Sequence, residues 1–125
     1  MFSNILQLML YVSDVETASR FWQSLGFLEV SRQDMEGTTI VELALNEASG
    51  VHFVLYDREF FMEHSPGVVT STPSIMFTTE DIDTLYQNVL STEVEVGDLI
   101  QLENQLVFNF ADPDGNYFAV TSIEQ

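Results

Sequence analysis

The stretch "LMLYVSDVETASRFWQSLGF", residues 8–27, holds a strand, a helix and the signals that separate them. Ile5 to Val12 is nearly continuous in apolar residues, as a buried strand is. Ser13 is a good N-cap, and Glu16 three residues later completes a capping box. Val15, Ala18, Phe21, Trp22 and Leu25 then fall on one face at helical spacing. Gly26 followed by Phe27 reads as a Schellman stop. Working outward, strand-like runs follow at Leu28 to Arg32, Thr38 to Leu45 and Val51 to Tyr56. Turn signals at Gly37 and Ser49-Gly50 separate them. The order is β-α-β-β-β.

The second half repeats this order. Ser74 to Thr79 is strand-like, and Ile82, Leu85, Tyr86, Val89 and Leu90 form the next helical stripe. Short strands are expected at Val94 to Val96, Leu106 to Ala111 and Tyr117 to Ser122. The two helix starts, at Asp14 and Asp81, lie 67 residues apart, and the last strands of the two halves lie 65 apart. Similar orders at nearly one offset argue for duplication. The expected organisation is α+β: a first βαβββ module over 1–57, a linker over 58–72 and a second module over 73–125.

Between the last two strands stands "ADPDGN", residues 111–116. Two carboxylates two residues apart raise the question of a metal. An EF-hand loop starting at Asp112 would need Gly sixth and Glu twelfth, and those positions hold Tyr117 and Ile123. Asp first, Pro second and Gly fourth are instead the preferences of a type I turn.

Composition narrows the function classes. Three basic residues against 20 acidic ones give a net charge of −17. Such a surface repels nucleic acid and anionic membranes, whose binding depends on Lys and Arg. It attracts cations, and it also keeps a small domain soluble. No apolar run approaches the roughly 18 residues needed to span a bilayer. No basic leader precedes the first strand, so a cytoplasmic protein is expected. There are no cysteines, which excludes disulfides, thiolate zinc and a Cys nucleophile.

The stretch "LMLYVSDVETASRFWQSLGF" resembles the opening of vicinal oxygen chelate proteins. "FNFADPDGNYFAV" resembles their closing hairpin. The superfamily includes glyoxalase I, extradiol dioxygenases, fosfomycin-modifying enzymes and bleomycin-resistance proteins. The resemblance implies paired modules forming a curved, cup-shaped mixed sheet with helices on the outer face. It also implies a homodimer. Metal-dependent members hold a divalent ion with His, Gln and Glu from the first and last strands of each module. On this chain those positions carry Gln7, Ser74 and Ala119. The fourth strand of module one offers His52, Phe53 or Val54. Only Gln7 and His52 are metal donors of the expected kind, so no metal or other cofactor is expected.

The strand period then sets a candidate lining. Gln7 brings Met9 and Tyr11, Ala119 brings Tyr117 and Thr121, and Ser74 brings Met76 and Thr78. The fourth strand brings His52, Val54 and Tyr56, or else Phe53 and Leu55. Such walls suit a small organic ligand, a cation included. Each residue taken singly also reads as core. Phe60, Phe61 and Met62, in the linker, either cover a ligand or a partner chain, or pack on their own domain as a short amphipathic turn. His64, also in the linker, reads as exposed loop. Three functions compete: a metal-free binding protein like the bleomycin-resistance branch, a metal enzyme with atypical ligands, and a structural dimer with a filled cup.

Overall fold

The structure is a computed structural model, and it describes residues 1–64, 67 and 71–123. The chain divides into two compact units, Met1–Thr72 and Pro73–Gln125. Each carries a four-stranded mixed sheet, and the fold is α+β with a repeated βαβββ-like module.

The first unit runs β1 (Leu6–Val12), α1 (Val15–Ser24), β2 (Leu28–Met35), β3 (Thr38–Ala44), β4 (Val51–Asp57) and α2 (Arg58–His64). Its sheet order is β1-β4-β3-β2, with β1 and β4 parallel and the other neighbours antiparallel. Helix α1 begins one residue later than the capping-box reading places it. Asp14, not Ser13, is the N-cap, and its side chain accepts from the Thr17 amide at 3.2 Å. Glu16 is released from capping and pairs with Arg32, which also holds Glu29. The helix ends as expected. The Gly26 amide donates to Gln23 O and the Phe27 amide to Trp22 O, with Gly26 at φ 106°, and these bonds define the Schellman motif.

Alternation along the strands sorts the two sheet faces. Val41, Leu43, Phe53 and Leu55 are buried beneath α1. Trp22, only 1% exposed, sets its ring edge-on to Phe53 at 5.1 Å and tilted to Phe27 at 5.2 Å. Ile40, Glu42, His52, Val54 and Tyr56 have the opposite parity and form the other, open face. Strand β2 extends to Met35 because Glu36 and Gly37 both take positive φ and close a two-residue hairpin onto Thr38.

The first part of the segment expected as a linker is helical. Arg58–His64 is a helix capped by Asp57, whose carboxylate accepts from the Phe60 amide at 3.0 Å. Phe61 packs on its own unit, 4.7 Å from the Tyr11 ring and 5.6 Å from that of Tyr56. His64, expected in a loop, ends this helix and stacks on Phe60 at 4.0 Å.

The second unit runs β5 (Met76–Thr79), α3 (Ile82–Leu90), β6 (Ile100–Leu102), β7 (Gln105–Ala111) and β8 (Tyr117–Ser122). Its order, β5-β8-β7-β6, repeats that of the first unit. Asp81 caps α3 as Asp14 caps α1. Phe108, Phe110, Phe118, Val120 and Val89 form its core. The strand expected at Val94 to Val96 does not form. Val96 makes only an isolated bridge to Phe110, and the third strand is Ile100–Leu102 instead. The Asp112 turn is as expected: the Gly115 amide donates to Asp112 O at 2.9 Å, closing four residues.

Candidate functional site

The open face of the first unit is where most of the candidates meet. The parallel register of β1 and β4 sets Gln7 beside His52, Met9 beside Val54 and Tyr11 beside Tyr56. The antiparallel register of β3 and β4 sets Glu42 beside Val54. Gln7, Met9, Ile40, Glu42, Val54 and Tyr56 line a cleft of about 290 Å³ whose remaining wall comes from β2. On the fourth strand Val54 and Tyr56 line the cleft and His52 shares their parity, while Phe53 and Leu55 pack under α1.

One carboxylate anchors this face. Glu42 Oε2 accepts from Gln7 Nε2 at 3.0 Å and from His52 Nδ1 at 2.5 Å. These bonds, led by that from His52, hold the Glu42 carboxyl below its ordinary value of 4.5, against the opposing effect of burial. Glu42 and His52 side chains keep only 20% and 16% of their exposure. Burial pushes the Tyr56 phenol upward, so its hydroxyl stays neutral. Tyr11 lies behind the cleft, stacked 5.6 Å from Tyr56, with its hydroxyl on the Met9 sulfur.

Glu42 is the site residue that sequence reasoning missed. It follows Val41 and precedes Leu43 in an apolar strand, so parity alone points it away from α1. Reading only the first and last strands of the module passed over it.

The remaining candidates lie on the second unit. Met76 and Ala119 are register partners on β5 and β8. Met76 is 63% exposed and Tyr117 60%, while Ser74 precedes β5 and is exposed. The Tyr117 hydroxyl donates to Glu95 at 2.9 Å, which raises its own pKa. These residues form a face of their own.

The architecture has known relatives. The profile of the glyoxalase/bleomycin resistance protein/dioxygenase superfamily matches residues 4–120. The chain belongs to this superfamily. Solved structures of its members agree. TnmS3, an antibiotic-binding protein from Streptomyces sp. CB03234, shares 23% identity at a TM-score of 0.76, over 97% of this chain and 96% of that one. A superfamily member from Sphaerobacter thermophilus shares 22% identity at a TM-score of 0.76, over 98% of each chain. A glyoxalase family protein from Bacillus cereus shares 16% identity at 0.77, over 98% of this chain and 95% of that one. At such identities the likeness is one of fold. Among curated protein sequences none matches.

Metal-dependent members of the superfamily make a divalent ion the natural question. On the first unit the donors are one amide, one imidazole and one carboxylate. His52 Nδ1, at 2.5 Å from an acceptor-only oxygen, donates to it, which leaves Nε2 as the ring nitrogen with a lone pair. Gln7 presents its NH₂ to the same oxygen. Glu42 Oε2 is thus a shared acceptor for both side chains. Ser74 and Ala119 add no carboxylate or imidazole. Among the described residues no group of three or more His, Asp or Glu side chains is placed to hold a metal ion. A catalytic divalent site takes three protein ligands and an open position, whereas here the amide, the imidazole and the carboxylate are bonded to one another.

No described helix is long and apolar enough to cross a membrane.

Proposed function

We propose that this protein captures a small cationic organic compound without metal, holding it on the open face of the first unit. The observation that carries this reading is Glu42: a largely buried carboxylate set among apolar walls, with no Arg or Lys lining the cleft. A few oriented polar groups on mostly apolar walls are what a small-molecule site needs.

The ligand's apolar body would lie on Met9, Val54 and Tyr56, and its cationic group would pair with Glu42. Gln7 and His52 keep that carboxylate aimed and ionised. The chain's three basic residues do not compete. Arg32 is engaged by Glu16 and Glu29, Arg58 donates to Tyr11 O, and Arg20 lies on α1 near Thr17. The charge of −17 raises the local concentration of cations and makes capture salt-sensitive. The antibiotic-binding description of TnmS3 agrees with capture rather than chemistry. Ser74, Met76, Tyr117 and Ala119 would give the second unit a corresponding face. We propose a cytoplasmic homodimer as the working state, with 58–72 as the segment between its two modules.

The competing reading is a metal-dependent enzyme of the same superfamily. Native mass spectrometry, before and after adding nickel, zinc, manganese or iron, decides between them. A protein that keeps no stoichiometric metal, yet binds protonated aromatic amines more weakly in Glu42→Gln, bears out capture. One metal per chain kept through buffer exchange would overturn it.

A further inference from the structure

A second cavity opens beside the Glu42 cleft, between α2 and the β2–β3 hairpin. It has a volume of about 260 Å³, and the two cavities share Ile40 and Tyr56 as walls. Its character differs from the cleft. Four rings line it, Tyr56, Phe60, Phe61 and the His64 imidazole, with two carboxylates, Glu36 and Asp57. None of the amides of the cleft reaches it.

The rings are held in place. Phe61 packs at 5.6 Å from Tyr56 and 4.7 Å from Tyr11, and Tyr11 in turn stacks on Tyr56. Phe60 is fixed by His64, stacked at 4.0 Å, whose Nδ1 lies 2.9 Å from Phe60 O. Asp57 is fixed by its bond from the Phe60 amide. Glu36 sits at the hairpin tip with φ 39°. The cavity is therefore a walled ring cluster and not a loose patch.

Aromatic faces attract a cation through their quadrupoles, and most effectively one that needs no hydrogen bonds. A primary amine or an amidinium would find better partners at Glu42. A quaternary or fully alkylated ammonium loses little on leaving water and gains from the ring faces and two carboxylates. We propose that this cavity is a quaternary-ammonium compartment, so that the captured compound carries an alkylated ammonium beside the group held at Glu42. This deepens the capture reading and rests on it.

Calorimetric titration with choline and its neutral isostere 3,3-dimethylbutan-1-ol tests the proposal at low ionic strength. Choline is expected to bind at least about tenfold more tightly than the alcohol. Phe60→Leu and Glu36→Gln, both checked for folding by thermal melt, should each weaken choline at least about fivefold. Glu47→Gln, an exposed carboxylate in the β3–β4 turn at the other end of the sheet, should change it less than twofold. Equal affinity for choline and the alcohol would overturn the compartment. So would choline binding that ignores Phe60→Leu and Glu36→Gln. Choline binding lost only in Glu42→Gln would also overturn it, while leaving the Glu42 cleft as the capture site. The capture reading fails separately, if protonated aromatic amines do not bind or bind equally well to Glu42→Gln.

Discussion

The Asp112 side chain is where a motif, a turn and a charge meet, and replacing it in two ways separates their contributions. Asp112 is 4% exposed. Its Oδ1 accepts from the Asp114 amide at 3.0 Å and the Asn116 amide at 2.9 Å, and its Oδ2 from Asn116 Nδ2 at 3.2 Å. Hydrogen bonds to a charged group contribute about 1.5–3 kcal/mol each. Asp112→Ala removes all three bonds, but Asp114 and Asn116 are half-exposed and water replaces part of the loss. The net cost should be about 2–4 kcal/mol. Asp112→Asn keeps an oxygen for the two amides and removes the charge, so it should cost less than about 1 kcal/mol.

The pH dependence has a definite sign. Burial pushes the Asp112 carboxyl above 3.8, although Asn116 and Asp114 pull it down. A group whose folded pKa is raised contributes stability below its unfolded value and loses it as pH rises through the folded value. Wild type should therefore lose stability relative to Asp112→Asn as pH rises from 3 upward through the acid range. Urea unfolding followed by far-UV circular dichroism, repeated across pH, measures both effects. An Ala variant costing under about 1 kcal/mol would refute the account of the turn. A wild type that gains on the Asn variant with rising pH would refute the account of the charge.

Three further outcomes are expected. A Cβ at Gly50 would meet Asn4 O at 2.2 Å, beside the Leu6 amide bond to Gly50 O. Gly50→Ala should cost about 2 kcal/mol or more and speed amide exchange at Leu6. Phe53→Ala, under Trp22, should cost about 3–5 kcal/mol in urea unfolding, because it opens a cavity in a dry core. Glu42 is held below 4.5, so capture of a permanently charged aromatic cation should persist at pH 5 and fall only below that value. Titration of the wild type at pH 7, 5 and 3.5 checks this, and a loss already complete at pH 5 would count against Glu42.

Much of the fold was legible because its signals are local. The Schellman stop at Gly26, the turn at Asp112 and the parity of β1 each depend on a few adjacent residues. The helix start was misplaced because Ser13 and Asp14 are both good caps. The second unit would have decided it: Asp14 with Thr17 matches Asp81 with Thr84, and in both the aspartate accepts from the threonine amide. Strand β6 escaped because its hairpin turns on Glu103, at φ 53°, with no glycine to mark it. Val94 to Val96 has a strand's composition, yet Glu93 at φ 66° bends the chain just before it and leaves one bridge. The site was only half legible. Gln7, Met9, His52 and Tyr56 follow from strand parity, whereas the bonds that gather Gln7 and His52 on Glu42 depend on register across three strands.

The placement of Trp22 has a spectroscopic consequence. It is the chain's only tryptophan, and it lies in the core of the first unit. Its emission therefore reports the unfolding of Met1–Thr72 and is silent about Pro73–Gln125, while the peptide-bond signal reports both. Where the two curves coincide, the duplicated modules melt as one cooperative body. Where they part, the gap between them measures how far each half stands alone.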